Sequence, residues 1–123
     1  DEIAPIGSST YSKYVTRRVN LNNASNFLRV RLAASIPAEA AVEVYYKVGD
    51  VGSNLVFEDL PYIKLNSDAP VIYAQNGSNR FYDMNFSSGD IAAFESVQIK
   101  IVLKSTNSSA VPRVKDLRVI ACA

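Results

Sequence analysis

The sequence predicts an all-β domain: an antiparallel β-sandwich of jelly-roll type, with about seven or eight short strands and little helix. Three observations predict it. Apolar and polar residues alternate in several separate segments, turn-forming residues lie between those segments, and no long helical pattern is present. Strands of this kind bury one face and expose the other. A closed barrel is the second choice for the same strands.

The alternating segments are Tyr14–Leu21, Phe27–Leu32, Val42–Val48, Phe81–Phe86, Val97–Leu103 and Leu117–Ala121. In the second segment, Leu28, Val30 and Leu32 are expected to face the core, and Arg29 and Arg31 the solvent. Asn76-Gly77 is the strongest hairpin signal, because both residues tolerate a positive φ. One helical turn is expected at Gly89–Glu95, with Asp90 as its cap.

The length of 123 residues suits one domain that folds without disulfides or metals. Residues 1–12 contain Pro, Gly and a Ser-Ser-Thr cluster and are predicted to be an N-terminal arm or linker, which leaves 13–123 for the sandwich. The first residue is Asp rather than Met, so we expect a piece excised from a longer protein. The single cysteine, Cys122, is expected to be buried and inert.

Composition argues against several classes of function. The chain has no histidine, which removes the usual general base and the commonest ligand of transition metals. We therefore expect no catalytic residues, no cofactor and no metal. The formal charge of +1 argues against nucleic-acid binding, and no apolar run is long enough for membrane insertion.

Calcium is a separate possibility in the loops. Oxygen ligands occur in several turns, at Asp50, Asn54, Asn66, Asp68, Asn76 and Asp83. Asp and Asn are also the ordinary residues of turns, and no EF-hand spacing is present, so turn chemistry is favoured over a metal site.

Two sets of side chains are candidates for binding. The first set is basic: Arg17 and Arg18 lie in the first predicted strand, Arg29 and Arg31 share the outward face of the second, and Lys47 takes an outward position. It either forms a contact surface for an acidic partner or is a solvated strand face that discourages edge aggregation. The second set consists of Tyr45, Tyr62 and Tyr73, whose rings could stack on sugars or anchor a protein interface.

Four stretches of the chain resemble a domain of structural proteins from contractile-tailed, T4-like bacteriophages, namely baseplate and tail-fibre-associated proteins. They are Ser12–Leu21 (SKYVTRRVNL), Leu28–Val48 (LRVRLAASIP leading into VEVYYKV), Phe57–Leu65 (FEDLPYIKL) and Phe94–Ala121 (FESVQIKIVLKS leading into VPRVKDLRVIA). The connection at Asn22–Asn26 is shorter than the group would lead us to expect.

The resemblance implies a β-sandwich within a larger virion protein, made in the bacterial cytoplasm and assembled into the phage tail. Its implied role is to pack against neighbouring baseplate or fibre subunits, and it implies no enzymatic activity and no transferable site residues. Homo-oligomerisation is a further possibility. The alternative function is a carbohydrate-binding module for host-surface glycans, which rests on fold-level analogy.

Overall fold

The computed structural model describes residues 2–3, 11–50, 56–73, 80–105 and 112–122 of the chain. Within these residues the fold is nearly all-β and antiparallel, as the sequence predicts, and no α-helix is present. The strands are β1 (Glu2–Ile3), β2 (Tyr11–Val15), β3 (Val19–Ser35), β4 (Ala40–Asp50), β5 (Ile63–Ser67), β6 (Tyr82–Ser105) and β7 (Arg113–Cys122). A 3₁₀ turn, Phe57–Asp59, precedes β5.

The long strand β6 is the centre of the sheet, whose order is β1-β7-β3-β6-β4-β5. Along one edge, β6 pairs with β3 and then with β2. Along its other edge it pairs with β4 through residues 94–105 and with β5 through Ser87 and Phe86. Four of the six other described strands therefore bond directly to β6.

The pairing directions require β6 to bend. Strands β4 and β5 both run antiparallel to β6 on the same edge, yet they also run antiparallel to each other. In a flat sheet, two strands that are both antiparallel to a third are parallel to each other, so β6 must turn between Ser87 and Phe94. Gly89 lies in this section with a φ of 70°, and the pairing with β3 slips register three times opposite it. The sheet curls as a result.

The curled sheet encloses one hydrophobic core. The bend divides β6, and the sheet with it, into two arms, one before Ser87 and one after Phe94. Both arms contribute residues to the core, which include Leu28, Val30, Val44, Met84, Phe86, Phe94, Ile99, Ile101 and Val114. The inward positions predicted from the alternation are confirmed for Leu28, Val30 and Leu32, which are all buried. The described strands form one connected sheet, and the two-sheet sandwich stays a prediction.

Three predictions of local structure are wrong, and the first is the connection at Asn22–Asn26, which lies inside strand β3. Gly89–Glu95 is part of β6 and not a helical turn, because its backbone pairs with β3 on one side. The predicted strand Tyr14–Leu21 is interrupted at Thr16–Arg18, where three residues face only Gln98 and Ile99 of β6. Two hydrogen bonds hold Thr16, in this interruption, against β6. The Thr16 backbone N–H donates to the Ile99 carbonyl at 2.9 Å, and Thr16 Oγ1 accepts from the Ile99 N–H at 3.0 Å.

The two ends of the chain contain strand. Within the predicted arm, Glu2–Ile3 pairs with Lys115 and Val114, and β2 begins at Tyr11. At the other end, Cys122 is exposed, so the expectation of a buried cysteine is wrong. Cys122 is the last residue of β7 and pairs with Phe27 of β3. The predicted Asn76-Gly77 turn lies outside the described residues.

Candidate functional site

The outer face of β4 and of the second half of β6 has an alternating set of polar and aromatic side chains. Glu43, Tyr45 and Lys47 of β4 pair directly with Val102, Lys100 and Gln98 of β6. Directly opposite residues of an antiparallel pair share a face, and this face is opposite to the one that buries Val44 and Tyr46. Charged and aromatic groups from the two strands therefore meet outside the core.

The 3₁₀ turn covers one end of this face. The turn is closed by backbone bonds from the Asp59 N–H to the Val56 carbonyl at 3.0 Å and from the Leu60 N–H to the Phe57 carbonyl at 3.1 Å. It places Phe57 against the sheet, where the residue is buried. The Arg18 guanidinium carbon lies 4.3 Å from the centroid of the Phe57 ring, and Lys47 Nζ lies 5.2 Å from it.

The same alternation continues across the face. Lys47 Nζ is also 4.6 Å from the centroid of the Tyr62 ring. Lys100 Nζ lies 4.3 Å from the Tyr62 ring centroid and 4.8 Å from that of Tyr45. Each distance is within the range of a cation–π attraction. We call this series of contacts the cation–aromatic row; its members, in order, are Arg18, Phe57, Lys47, Tyr62, Lys100 and Tyr45.

A carboxylate ends the row. Glu43 accepts hydrogen bonds from Tyr45 Oη at 2.9 Å, from Lys64 Nζ at 3.2 Å and from Lys104 Nζ at 3.0 Å. Burial by itself would raise the pKa of Glu43, but the hydrogen bonds from Lys104, Tyr45 and Lys64 outweigh it and lower the pKa to about 2. The hydrogen bond to Glu43 raises the pKa of Tyr45, and burial raises that of Tyr62. At neutral pH Glu43 is an ionised anchor and not a proton donor.

Lys47 and Arg18, which the sequence indicates as candidate contact residues for a partner, are both members of the cation–aromatic row. The sequence places Lys47 on an outward position, but the residue is only 6% exposed because Phe57 and Tyr62 cover it, so its predicted exposure is wrong. Arg18 is exposed, yet its guanidinium is engaged by Phe57, by Ser96 Oγ at 3.2 Å and by Glu58 at 4.0 Å. Both cations already stabilise the chain's own fold.

The three tyrosines proposed for stacking do not form one platform in the described contacts. Tyr45 and Tyr62 are half-buried and share Lys100, which lies over both rings. Tyr73 follows β5 and is 50% exposed, next to the exposed apolar residues Val71 and Ile72. The structure thus brings Tyr45 and Tyr62 together and presents Tyr73 separately.

A second outer surface lies on the other arm of the sheet, where β3 pairs with β7. Arg29 and Arg31 are exposed there, as predicted, and Arg31 pairs directly with the exposed Arg118 of β7. Within the described part of the chain, none of the three forms an ion pair, and the contact of Arg29 is with the Phe27 ring at 5.7 Å. We call this surface the arginine face: Arg29, Arg31 and Arg118.

A shallow cavity of about 210 Å³ opens beside the arginine face. Asp83 and Asp116 contribute carboxylates to its lining, and its complete lining is Arg31, Leu32, Ala33, Asp83, Met84, Asp116 and Arg118. Asp116 has a φ of 57°, where the β3–β7 pairing slips register between Arg31 and Ala33. The bulge at Asp116 shapes one side of the cavity.

The predicted basic set is therefore divided between two surfaces. Arg29 and Arg31 pair with Ser87 and Asn85 before the bend of β6. Lys47 pairs with Gln98 after the bend, so it lies on a different part of the curled sheet. Arg17 is exposed in the link between β2 and β3. Sequence reasoning missed Arg118, whose outward position in the last strand was the available signal. Its proximity to Arg31 depends on pairing between distant strands.

No protein-family model and no curated protein sequence matches this chain. Among the described residues, no group of three or more His, Cys, Asp or Glu is placed to hold a metal ion. In the same residues, no helix is long and apolar enough to cross a membrane.

Proposed function

We propose that this chain is a non-enzymatic structural domain of a bacteriophage tail or baseplate protein, and that it packs against neighbouring virion subunits through the arginine face. In this proposal the two arms of the curled sheet are the layers of a jelly-roll-like β-sandwich. The partners are other tail or baseplate proteins or further copies of the same chain. The place of action is the virion.

The observation that carries the proposal is the pairing of Arg31 with Arg118. Like charges directly opposite each other on neighbouring strands destabilise an isolated sheet. Here neither guanidinium has a counter-ion among the described residues, although Lys64 and Lys104 both pair with Glu43 on the other arm. The carboxylates of Asp83 and Asp116 line the cavity beside this pair, but neither forms an ion pair with Arg31 or Arg118. An acidic group on a neighbouring subunit that contacts both guanidinium groups would relieve their repulsion.

The support beneath the arginine face suits a contact surface. Val30, between Arg29 and Arg31 on β3, is fully buried on the opposite side of the strand, and Leu32 is 3% exposed. Because packed interiors deform little, β3 and β7 hold the backbone positions from which their outward side chains project. A rigid surface loses little conformational entropy when a partner binds. We propose tail and baseplate proteins as the partners because four stretches of the chain resemble phage tail proteins.

The experiment is to ask whether the chain is present in contractile-tailed particles whose genome encodes it. Density-purified particles are analysed by mass spectrometry and by immunogold labelling with an antibody raised against the purified chain. The proposal expects peptides of the chain in the particles and gold at the tail end. Particles that lack the chain would overturn it.

The role of the arginine face is tested separately by charge reversal in the phage. The triple variant R29E/R31E/R118E is expected to assemble defective tails, because acidic partner groups would then be repelled. The matched control is Lys13→Glu on β2, an exposed position away from the arginine face, which should assemble normally. Normal tails in both variants would remove the arginine face from the proposal.

The second candidate function is glycan binding, and the exposure of Tyr73 is the observation that favours it. Its ring is half exposed beside Val71 and Ile72, whereas Tyr45 and Tyr62 already have a lysine over their rings. A glycan array with the purified chain tests this candidate. Specific binding that Tyr73→Ala abolishes and Tyr14→Ala preserves would favour it over the structural role, and Tyr14 is a suitable control because it is 43% exposed on β2.

A further inference from the structure

The cavity beside the arginine face has an unusual charge arrangement. It is lined by two arginines from paired strands and by two aspartates, Asp83 of β6 and Asp116 of β7. Within the described part of the chain, neither carboxylate forms an ion pair with an arginine. Four charges of both signs therefore line one small space without neutralising each other by direct contact.

We infer that this cavity is a recognition site for a single carboxylate, the side chain of a Glu or Asp that a neighbouring protein inserts between Arg31 and Arg118. This inference rests on the proposed function and specifies the chemistry of its interface. Side chains directly opposite on antiparallel strands start from Cβ atoms about 4.5–5.5 Å apart. Two guanidinium groups on such a base can both reach the oxygens of one carboxylate.

The aspartates narrow the choice of ligand. With Asp83 and Asp116 in the lining, the four ionised side chains sum to zero, so the cavity does not attract anions by net charge. A multiply charged anion such as phosphate would meet the two carboxylates as well as the two arginines. One planar carboxylate satisfies both guanidinium groups with the least repulsion from the aspartates.

The volume agrees with a side chain and not with a large ligand. A cavity of about 210 Å³ is smaller than the roughly 300–1,000 Å³ typical of small-molecule sites. Leu32, Ala33 and Met84 also line the cavity, but each is at most 8% exposed, so the lining that a partner's side chain would meet is mainly the four charged side chains. The site therefore suits the tip of a partner's side chain presented at a protein interface.

The experiment uses the whole purified chain and nuclear magnetic resonance of the arginine Nε–Hε groups, because single-contact affinities are weak. The probe is an acetylated and amidated Glu-Ser-Glu peptide, and the matched control is Gln-Ser-Gln. We expect the Glu peptide alone to shift the Nε–Hε signals of Arg31 and Arg118. Arg31→Gln and Arg118→Gln should each weaken the Kd about tenfold, as expected for loss of a charge-assisted hydrogen bond.

Arg29→Gln is the internal control, because Arg29 lies on the same surface but does not line the cavity. It should change the Kd less than about twofold, the effect expected from a screened exposed charge. Equal losses in all three variants, equal binding of the Gln peptide, or tighter binding of inorganic phosphate would each overturn the inference. Thermal unfolding of each variant confirms that it is folded.

The two proposals fail in different ways. If particles contain the chain but the Glu peptide leaves Arg31 and Arg118 unshifted, the carboxylate site is wrong and the virion role stands. If the peptide binds as expected but particles lack the chain, the carboxylate site stands and the virion role is wrong.

Discussion

Lys47 lies under the rings of Phe57 and Tyr62, with its Nζ 5.2 Å and 4.6 Å from their centroids. The ammonium also approaches the Glu58 carbonyl oxygen at 3.5 Å, and the residue is 6% exposed. A cation in such a place has lost most of its hydration and depends on the ring faces and the carbonyl for compensation. This contact connects the 3₁₀ turn to β4.

Reversing the charge of Lys47 should destabilise the domain severely. We expect Lys47→Glu to lower the free energy of unfolding by at least about 3 kcal/mol, because it buries a carboxylate against two negative ring faces. Lys47→Met keeps the packing of the stem and removes the ion, and should cost less than about 1.5 kcal/mol. Denaturation by urea measures both. A Lys47→Glu variant as stable as the control Lys13→Glu would show that Lys47 is not covered in solution.

The hydrogen bonds of Glu43 should make the domain acid-sensitive. The pKa of Glu43 in the folded chain is about 2, against 4.5 for an unperturbed glutamate. A lowered pKa stabilises the fold above the unfolded-state value, and this contribution is lost as the pH falls from about 4.5 to about 2. Its full size is on the order of 3 kcal/mol, and solvent screening reduces it because the Lys64 and Lys104 side chains are about half exposed.

Urea unfolding at a series of pH values measures this contribution. Glu43→Gln should be less stable than the unsubstituted chain at pH 7, and the difference should shrink as the pH falls through that window. Glu95→Gln serves as the control because Glu95 is exposed on β6. A difference for Glu43→Gln that does not change between pH 7 and pH 2.5 would contradict the assignment.

Asp116 should be replaceable only by residues that tolerate a left-handed backbone. Its φ of 57° is accessible to Gly and Asn but strained for a β-branched side chain. We expect Asp116→Val to cost about 1–2 kcal/mol of unfolding free energy, and Asp116→Asn and Asp116→Gly to stay within about 0.5–1 kcal/mol of the unsubstituted chain. Since Asn also removes the charge, a large loss in Asp116→Asn would assign the effect to charge instead of conformation.

Phe94 should be a critical core residue, because it is fully buried next to the bend of β6, where it pairs with both Ser25 of β3 and Asp50 of β4. Phe94→Ala is expected to lower the free energy of unfolding by about 3–5 kcal/mol, through lost burial and the cavity left behind. Val56→Ala is the control, since Val56 is 57% exposed and should change stability by less than about 0.5 kcal/mol. Chemical denaturation of both variants provides the comparison, and similar losses would contradict the placement of Phe94.

The sequence predicted the features that depend on local alternation. The outward positions of Arg29 and Arg31 and the burial of Leu28 and Val30 follow from a period of two along one strand. The stretch Gly89–Glu95 has local features of a helical turn, but pairing on the sheet overrides that preference. Local propensity is a weak guide where a strand has partners.

The sequence could not predict features that depend on distant partners. Burial of Lys47 requires Phe57 and Tyr62 to fold back over β4, and nothing within Val42–Val48 indicates such a cover. The pairing of Arg31 with Arg118 requires β3 to lie beside the last strand. Alternation assigns a side chain to a face, but it does not determine which other strand shares that face.

The central place of β6 also has a consequence for biosynthesis. Strands β2, β3 and β4 precede β6 in the chain, but most of their bonding edges are completed only by residues 82–105. On the ribosome, β2, β3 and β4 therefore cannot form their hydrogen bonds to β6 until the section ending at Ser105 has left the exit tunnel, and their edges stay unpaired until then. A nascent chain stalled before that point should be a substrate for chaperones, and release of Ser105 should start cooperative folding.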